Sequence, residues 1–508
     1  EFNGEAARIL TVIPTPSLSH QIVLYPIVQE LAKRGHEVVF VTTNPEFPKG
    51  EAPKNLTEID LQELSYGMWK KKFSLSDFGK ENFIYKGIKA IVEVSPTIFQ
   101  EQMKTDDVQA LVKNGNFDLI ILQAWFRPAL IWSHIYKVPV VKVSSLGMLF
   151  DNAENMGAPF HPILYPESFH QRIYNLSLWE TVTELRKRYY VDQLFIANEE
   201  AENEIARSIY KNAPPLSDLR RNVHMMFLNV NPLWDRNRPL PSNVVYSGGM
   251  YQRRPKLLPK DIKSFLDASP QGVIYMSFGS NVPPSQLPAQ TLQSFLKVFA
   301  KLPYNVLWKW NTDELSGKPN NVMISKWFPQ SDIFRHPNMK LVITQGGLQT
   351  TEEAIENGLP MIGIPMLADQ WLNVEHYVHH GIGVHLDLET LTEQDFGKAV
   401  LDVIQNDSYR NNVDRLRNIL KDQPTTSLER IMLWMEYILK HGGCSQLRPA
   451  SANISRTEYM ELELLAIVIA AVLSVVLFIA FLILCITRYV EAMVIETRDD
   501  DNKISIRI

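Results

Sequence analysis

The stretch from Trp327 to Glu375 reads WFPQSDIFRHPNMKLVITQGGLQTTEEAIENGLPMIGIPMLADQWLNVE and gathers side chains able to hold a phosphorylated ligand. The apolar run Leu341 to Thr344 reads as a strand, and Gly346 and Gly347 follow it. Two glycines there let the backbone approach a ligand closely. A helix starting after them offers unpaired N–H groups and a positive dipole end, which together can seat a diphosphate. Ser280, at the end of another strand, can add a hydroxyl and a backbone N–H. Taken alone, a Gly-Gly pair after a strand is more often only a turn. His20 lies in the loop after the first strand, and its imidazole, with an ordinary pKa of about 6.5, is largely neutral at pH 7 and able to take a proton. A helix-capping or packed histidine is the plainer reading. The D-x-D ligand spacing occurs only at Asp499 to Asp501, near the chain end.

The elements that would position these groups alternate. Strand candidates are 8–13, Glu37 to Thr42, Asp118 to Leu122 and Pro139 to Val143 in the first half, with a helix expected from about His20 to Lys33. In the second half they are Val273 to Phe278, Asn305 to Trp310, Met323 to Ser325, Leu341 to Thr344 and Met361 to Ile364. Between Asn231 and Pro259 the chain turns rich in Pro, Arg, Asn and Gly, as a linker would. Two α/β halves with parallel sheets and a cleft between them are therefore expected.

With 508 residues and 45% hydrophobic content, the chain can bury large cores. Its 51 basic and 56 acidic residues nearly cancel, and no dense basic tract is present, so nucleic acid is a poor partner. Cys444 and Cys485 are the only cysteines, and no disulfide framework is expected. From Leu464 to Thr487 no charge occurs, which makes a helix of roughly 36 Å, enough to cross a bilayer. Arg488, Arg498, Lys503 and Arg507 follow it and favour a cytoplasmic tail. Sequons start at Asn55, Asn175, Asn406 and Asn453, all before the span. An opening at Glu1 without an apolar leader is what a chain looks like after signal cleavage.

W-x-PQ at Trp327 to Gln330, the Gly-Gly turn, Glu353, the G-x-P-x-x-x-x-P stretch from Gly358 and the closing Asp369-Gln370 together resemble the UDP-glycosyltransferase signature. SFGS at Ser277 to Ser280, GHEV at Gly35 to Val38 and the C-terminal span extend that resemblance over nearly the whole chain. It implies a GT-B type α/β fold, with two Rossmann-like domains facing a cleft. Residues 1–240 would hold the acceptor and 241–445 the UDP-sugar. A juxtamembrane stretch 446–463, a transmembrane helix 464–487 and a cytoplasmic tail 488–508 would follow.

The same resemblance implies roles. Trp327 would stack on uracil, with Gln330 holding base or ribose and Glu353 binding ribose hydroxyls. Ser280, Gln345, Gly346, Gly347 and Gln349 would join them in the UDP-sugar site, and Asp369 and Gln370 would contact sugar hydroxyls. His20 would be the base of an inverting transfer with no metal and no cofactor, the UDP-sugar being a co-substrate. Two positions depart from the family pattern. Gln123 in FDLIILQ stands where an Asp partner of the base is common, and Gln345 stands for His. A Gln carbonyl can orient an imidazole but stabilises imidazolium less than a carboxylate does, so slower transfer is expected. Gln345 resembles insect-type members, which implies glucose as the sugar and a small lipophilic hydroxyl compound as the acceptor, in detoxification or in hormone or pigment conjugation.

The expected location is the endoplasmic reticulum membrane, single-pass type I, with the catalytic body lumenal and lipid contacted through one helix. Glucuronic acid or galactose as the donor sugar, a weakly catalytic membrane-bound binder of hydrophobic molecules, and a homo-oligomer stay open at this point.

Overall fold

The computed structural model describes residues 6–72, 83–149, 151–250 and 255–505. Chain contacts divide the protein into a body, Glu1–Ala452, and a C-terminal unit, Asn453–Ile508. Glu1 and Arg507 lie outside the described residues, as do 73–82, 150 and 251–254.

The body holds two parallel sheets. The first contains β1 (Arg8–Val12), β2 (Glu37–Thr42), β3 (Leu56–Asp60), β4 (Leu119–Gln123), β5 (Val140–Ser144), β6 (Val223–Leu228) and β7 (Val244–Tyr246), in the order β3-β2-β1-β4-β5-β6-β7. The second contains β8 (Val273–Ser277), β9 (Asn305–Lys309), β10 (Val322–Ser325), β11 (Met339–Thr344), β12 (Met361–Gly363) and β13 (Gly383–His385), in the order β10-β9-β8-β11-β12-β13. Central strands such as β4 (LIILQ) and β8 (VIYMS) are buried along their whole length, as apolar runs covered on both faces must be. In each sheet the strand order reverses beside the first strand, between β1 and β4 and between β8 and β11. Loops leaving the carboxyl ends there diverge and open a crevice, so the topology fixes two places where a ligand can sit.

Each expected strand is present within a residue or two of its expected ends. The helix expected from His20 to Lys33 is two helices, α1 (Leu18–Ile22) and α2 (Tyr25–Lys33). Pro26 sits in the first turn of α2 and cannot donate back to the preceding turn, so the backbone restarts there. Four strands escape the periodicity. Strand β3 is a half-exposed edge, β6 is built on Met rather than β-branched residues, and β7 and β13 are three residues each.

Strand β7 also falls inside the expected linker and beyond the expected boundary at residue 240. The described part of that segment up to residue 250 packs on the first half, with Trp234, Asp235 and Arg238 buried. Near the end of the body the chain returns to the first sheet. On the helix Ser427–His441, Ile431, Met432, Met435 and Ile438 are fully buried in one cluster with Ile9, Val28 and Leu31. Four such side chains withdraw enough apolar surface to contribute on the order of 6–12 kcal/mol, which ties the last part of the expected second domain to the first.

The C-terminal unit carries the helix Leu462–Ser505, with one segment, Leu462–Ile495, long and apolar enough to cross a membrane. The helix continues past the expected end at Thr487 because no Gly or Pro interrupts it. All four sequon asparagines are exposed.

Candidate active site

The two switch points face one cavity of about 430 Å³, in the size range of small-molecule sites. Ser19, His20 and Ser145 line it from the first sheet's side. From the second come Ser280, Trp327, Gln330, Gln345, Gly347, Gln349, Glu353, Asp369 and Gln370. Of the expected residues, Gly346 and Gln123 do not line it.

The turn after β11 supports the diphosphate geometry. Gly346 has φ +88°, and a Cβ there would come within 2.7 Å of Val374 Cγ2 and 2.9 Å of the Gln370 carbonyl. Gly347 then caps α3 (Leu348–Glu356) without a side-chain cap of its own, Gly347, Leu348 and Gln349 line the cavity, and the Leu348 N–H is hydrogen-bonded to the Asp369 carboxyl. Gln345 is buried, and its Oε1 accepts from Thr344 Oγ1 at 3.1 Å. Its Nε2 lies over Gly279, where φ is +75° and any Cβ would collide with it. The left-handed backbone is what selects glycine in SFGS, since the Gln345 side-chain end could move aside.

At one end of the cavity Trp327 is 58% exposed, and Lys309 Nζ stands 4.6 Å from the ring centroid. Gln330 Nε2 donates to Glu353 Oε2 at 2.5 Å and to Thr350 Oγ1 at 3.2 Å, and Ser331 also donates to Glu353. Burial pushes the Glu353 carboxyl above its ordinary value, against those two hydrogen bonds. The two expected nucleotide residues therefore hold each other.

At the other end Ala368 adopts φ +52°, and Asp369 begins α4 (Gln370–His380). Burial raises the Asp369 carboxyl to about 6, while Asn373 Nδ2, donating to Oδ2 at 2.7 Å, holds it down. Gln370 Oε1 accepts from the N–H groups of Met366 and Leu367, both at 2.9 Å, so its carbonyl folds the loop rather than facing the cleft. Gln349 Nε2 donates to the Ser19 carbonyl at 2.5 Å and ties the two halves across the cleft.

The expected contact between His20 and Gln123 is not formed. His20 Nδ1 is hydrogen-bonded to Ser145 Oγ, at the end of β5, and its ring stands edge-on to Trp125 at 6.0 Å. Gln123 Oε1 instead accepts from Thr15 Oγ1 at 2.7 Å, because the end of β4 delivers it beneath the β1–α1 loop. Burial lowers His20 to about 4, so the imidazole is neutral at pH 7. Ser145, Lys309 and Asn373 were not expected in the site. Their only signal is position: Lys309 ends β9, Ser145 directly follows β5 at the carboxyl edge, and Asn373 lies a helical turn after Asp369.

Two Rossmann-like sheets opening their switch points onto one shared cleft form a GT-B fold. A solved structure titled as the glycotransferase of kitacinnamycin shares this fold, with a TM-score of 0.59 at 17% identity over 85% of this chain and 98% of that one. Sequence comparison reaches further. The profile of the family "UDP-glucoronosyl and UDP-glucosyl transferase" matches residues 8–499. An ecdysteroid UDP-glucosyltransferase of Spodoptera littoralis nuclear polyhedrosis virus is 33% identical over 495 residues, 93% of this chain and 96% of that protein. UDP-glucosyltransferase 2 of Dactylopius coccus is 32% identical over 480 residues, 91% of this chain and 90% of that protein. The chain belongs to this family and is a UDP-glycosyltransferase.

Proposed function

We propose that the protein transfers a neutral hexose, glucose, from UDP-glucose to a hydroxyl of a small lipophilic acceptor, with inversion and without a metal. The observation that carries this reading is a single cavity bordered at once by a neutral imidazole and by the Gly347 helix start. Uracil stacks on Trp327, ribose meets Glu353 and Gln330, and the diphosphate sits on the N–H groups of Gly347 and α3 with Ser280 beside it. His20 takes the acceptor proton on Nε2. Ser145 Oγ supports this by accepting from Nδ1–H, the tautomer that leaves Nε2 basic. As the glycosidic bond breaks, charge developing on the departing phosphate is received by fixed N–H dipoles.

The distribution of charge favours a neutral sugar. Lys309 is at the Trp327 end, and Lys256 and Arg335 both meet Asp332 there, through a backbone N–H and an ion pair. The opposite end presents the Asp369 carboxyl, amides and a neutral His20. Among the described residues no Lys or Arg lines the cavity beside Asp369, so a hexuronate carboxylate there would face Asp369. The relatives named above are glucosyltransferases by name, and the viral one acts on an ecdysteroid, a lipophilic hydroxyl compound, which agrees with this reading. A body anchored by one C-terminal helix, with sequons exposed, fits a lumenal catalytic unit on the endoplasmic reticulum membrane, in detoxification or in hormone or pigment conjugation.

Full-length protein offered UDP-glucose, UDP-galactose and UDP-glucuronate with a panel of phenols and alcohols is expected to give hexosides from UDP-glucose. Its kcat/KM should exceed that for UDP-glucuronate roughly 100-fold, the size of an unpaired buried charge of about 3 kcal/mol. Equal use of the glucuronate would overturn the donor assignment. UDP-sugar binding with no product from any acceptor would favour a binding protein instead. Trp327→Ala is expected to weaken UDP binding by about 10- to 100-fold, the loss of one base-aromatic stack, and calorimetric titration checks it.

A further inference from the structure

Between the two halves, next to Asp369, lies an indole-amide contact that no part of the proposed chemistry uses. Asn373 is 1% exposed, and its amide is fully engaged. Oδ1 accepts from Trp234 Nε1 at 2.8 Å, while Nδ2 donates to the Gly346 carbonyl at 2.8 Å and to Asp369 Oδ2 at 2.7 Å. Trp234 comes from the segment between β6 and β7 of the first sheet. Its ring is held against His376 at 4.5 Å between centroids, and Tyr174 OH is hydrogen-bonded to the same imidazole at 2.9 Å.

An amide can be turned either way, and only one orientation suits Asp369. If Oδ1 faced Asp369 and Gly346, three acceptors would meet with no proton among them. The indole N–H is a donor only, so it selects the orientation in which both hydrogens of Nδ2 point at the donor site. We infer that Trp234 and Asn373 form a positioning strut through which the acceptor half sets the Asp369 carboxylate and the Gly346 turn against the donor sugar. Neither residue touches the substrate; both act through Asp369. The inference rests on the reading that Asp369 binds the sugar.

The titratable and charged groups around Asp369 among the described residues come from several elements. Across the cleft is His20, and in a small adjoining chamber is Asp235, paired with Arg238 at 3.3 Å. On α4 itself are Glu375, His376, Tyr377, His379 and His380. The helix α3 and β13, both packed on α4, bring Glu352, Glu353, Glu356 and His385. Burial raises Asp369, and hydrogen bonds from Asn373 and from the backbone N–H groups of Asp369 and Leu348 lower it, so the carboxylate form is lost as pH falls through about 6 and Asn373 is the side-chain donor among the three. Removing the donor must move that point upward.

The test is the pH profile of kcat/KM for UDP-glucose in full-length protein, with UDP affinity measured alongside. In Asn373→Asp a second carboxylate replaces the donor, and the pair retains a proton to higher pH, so the acid limb should rise by about one unit or more and KM for UDP-glucose about tenfold at pH 7. Trp234→Phe keeps the ring and removes only the N–H. It should move both quantities the same way by a smaller amount, roughly threefold in KM. If Asn373→Asp does not fold, Trp234→Phe decides. An acid limb and KM matching the unaltered protein in variants that fold would overturn the strut. Asp369→Asn separates the two readings. If it removes the limb while the strut variants behave as the unaltered protein, only the strut falls. If the limb survives in Asp369→Asn, the sugar-binding role of Asp369 falls and the strut with it.

Discussion

His20→Ala is expected to lower kcat by about 10³-fold, the middle of the range for a positioned general base, while KM for UDP-glucose stays within about twofold. The split follows from where the side chain stands. His20 borders the cavity from the first sheet, whereas the nucleotide residues come from the second, so its removal leaves the donor seat intact. Burial holds the imidazole pKa down to about 4, so the base form persists across the whole neutral range and only strong acid would protonate it. Ser145→Ala should cost about tenfold, the loss of one hydrogen bond that fixes the tautomer. Gln123→Asp should leave kcat within about twofold, because Gln123 serves Thr15 and not His20. Initial rates on purified variants decide the point. More than about a tenth of the rate surviving in His20→Ala would remove it as the base.

Gly346→Ala is expected to weaken donor binding by more than about 100-fold and to lower the melting temperature. The backbone there is left-handed, which costs an alanine about 1 kcal/mol before any contact is counted. The new methyl would also press on Val374 Cγ2 at 2.7 Å and on the Gln370 carbonyl at 2.9 Å. Val374 is fully buried and Gln370 closes the loop that presents Asp369, so neither can yield without moving the sugar end of the site. A combined loss of about 3 kcal/mol would weaken UDP-glucose binding more than 100-fold. Calorimetric titration and a thermal melt check the two halves of this expectation; unchanged UDP-glucose affinity would show that the turn does not seat the diphosphate.

Much of this arrangement is legible in the residues because the chemistry constrains the backbone. A turn that needs left-handed φ selects Gly346, and central parallel strands must be apolar throughout, so β1, β4, β8 and β11 stand out as continuous runs. Tertiary pairing is not written in spacing. Gln123 ends β4 and Ser145 directly follows β5 at the carboxyl edge of the first sheet, and only the course of the β1–α1 loop decides that one meets Thr15 and the other His20. Strand β7 is hidden for a similar reason: three residues inside a Pro-rich stretch carry no periodicity, and their pairing with β6 makes them a strand. The return of the helix Ser427–His441 to the first sheet is equally silent, since its amphipathic face would suit either core.

A structure of the full chain bound to UDP-glucose fluorinated at C2, which transfers slowly, is the most direct measurement. It should show uracil on Trp327, the diphosphate over Gly346-Gly347 and the first turn of α3, and the hexose between Asp369 and His20. A nucleotide seated outside the cleft, or a hexose turned away from His20, would contradict the assignment of both the donor seat and the base.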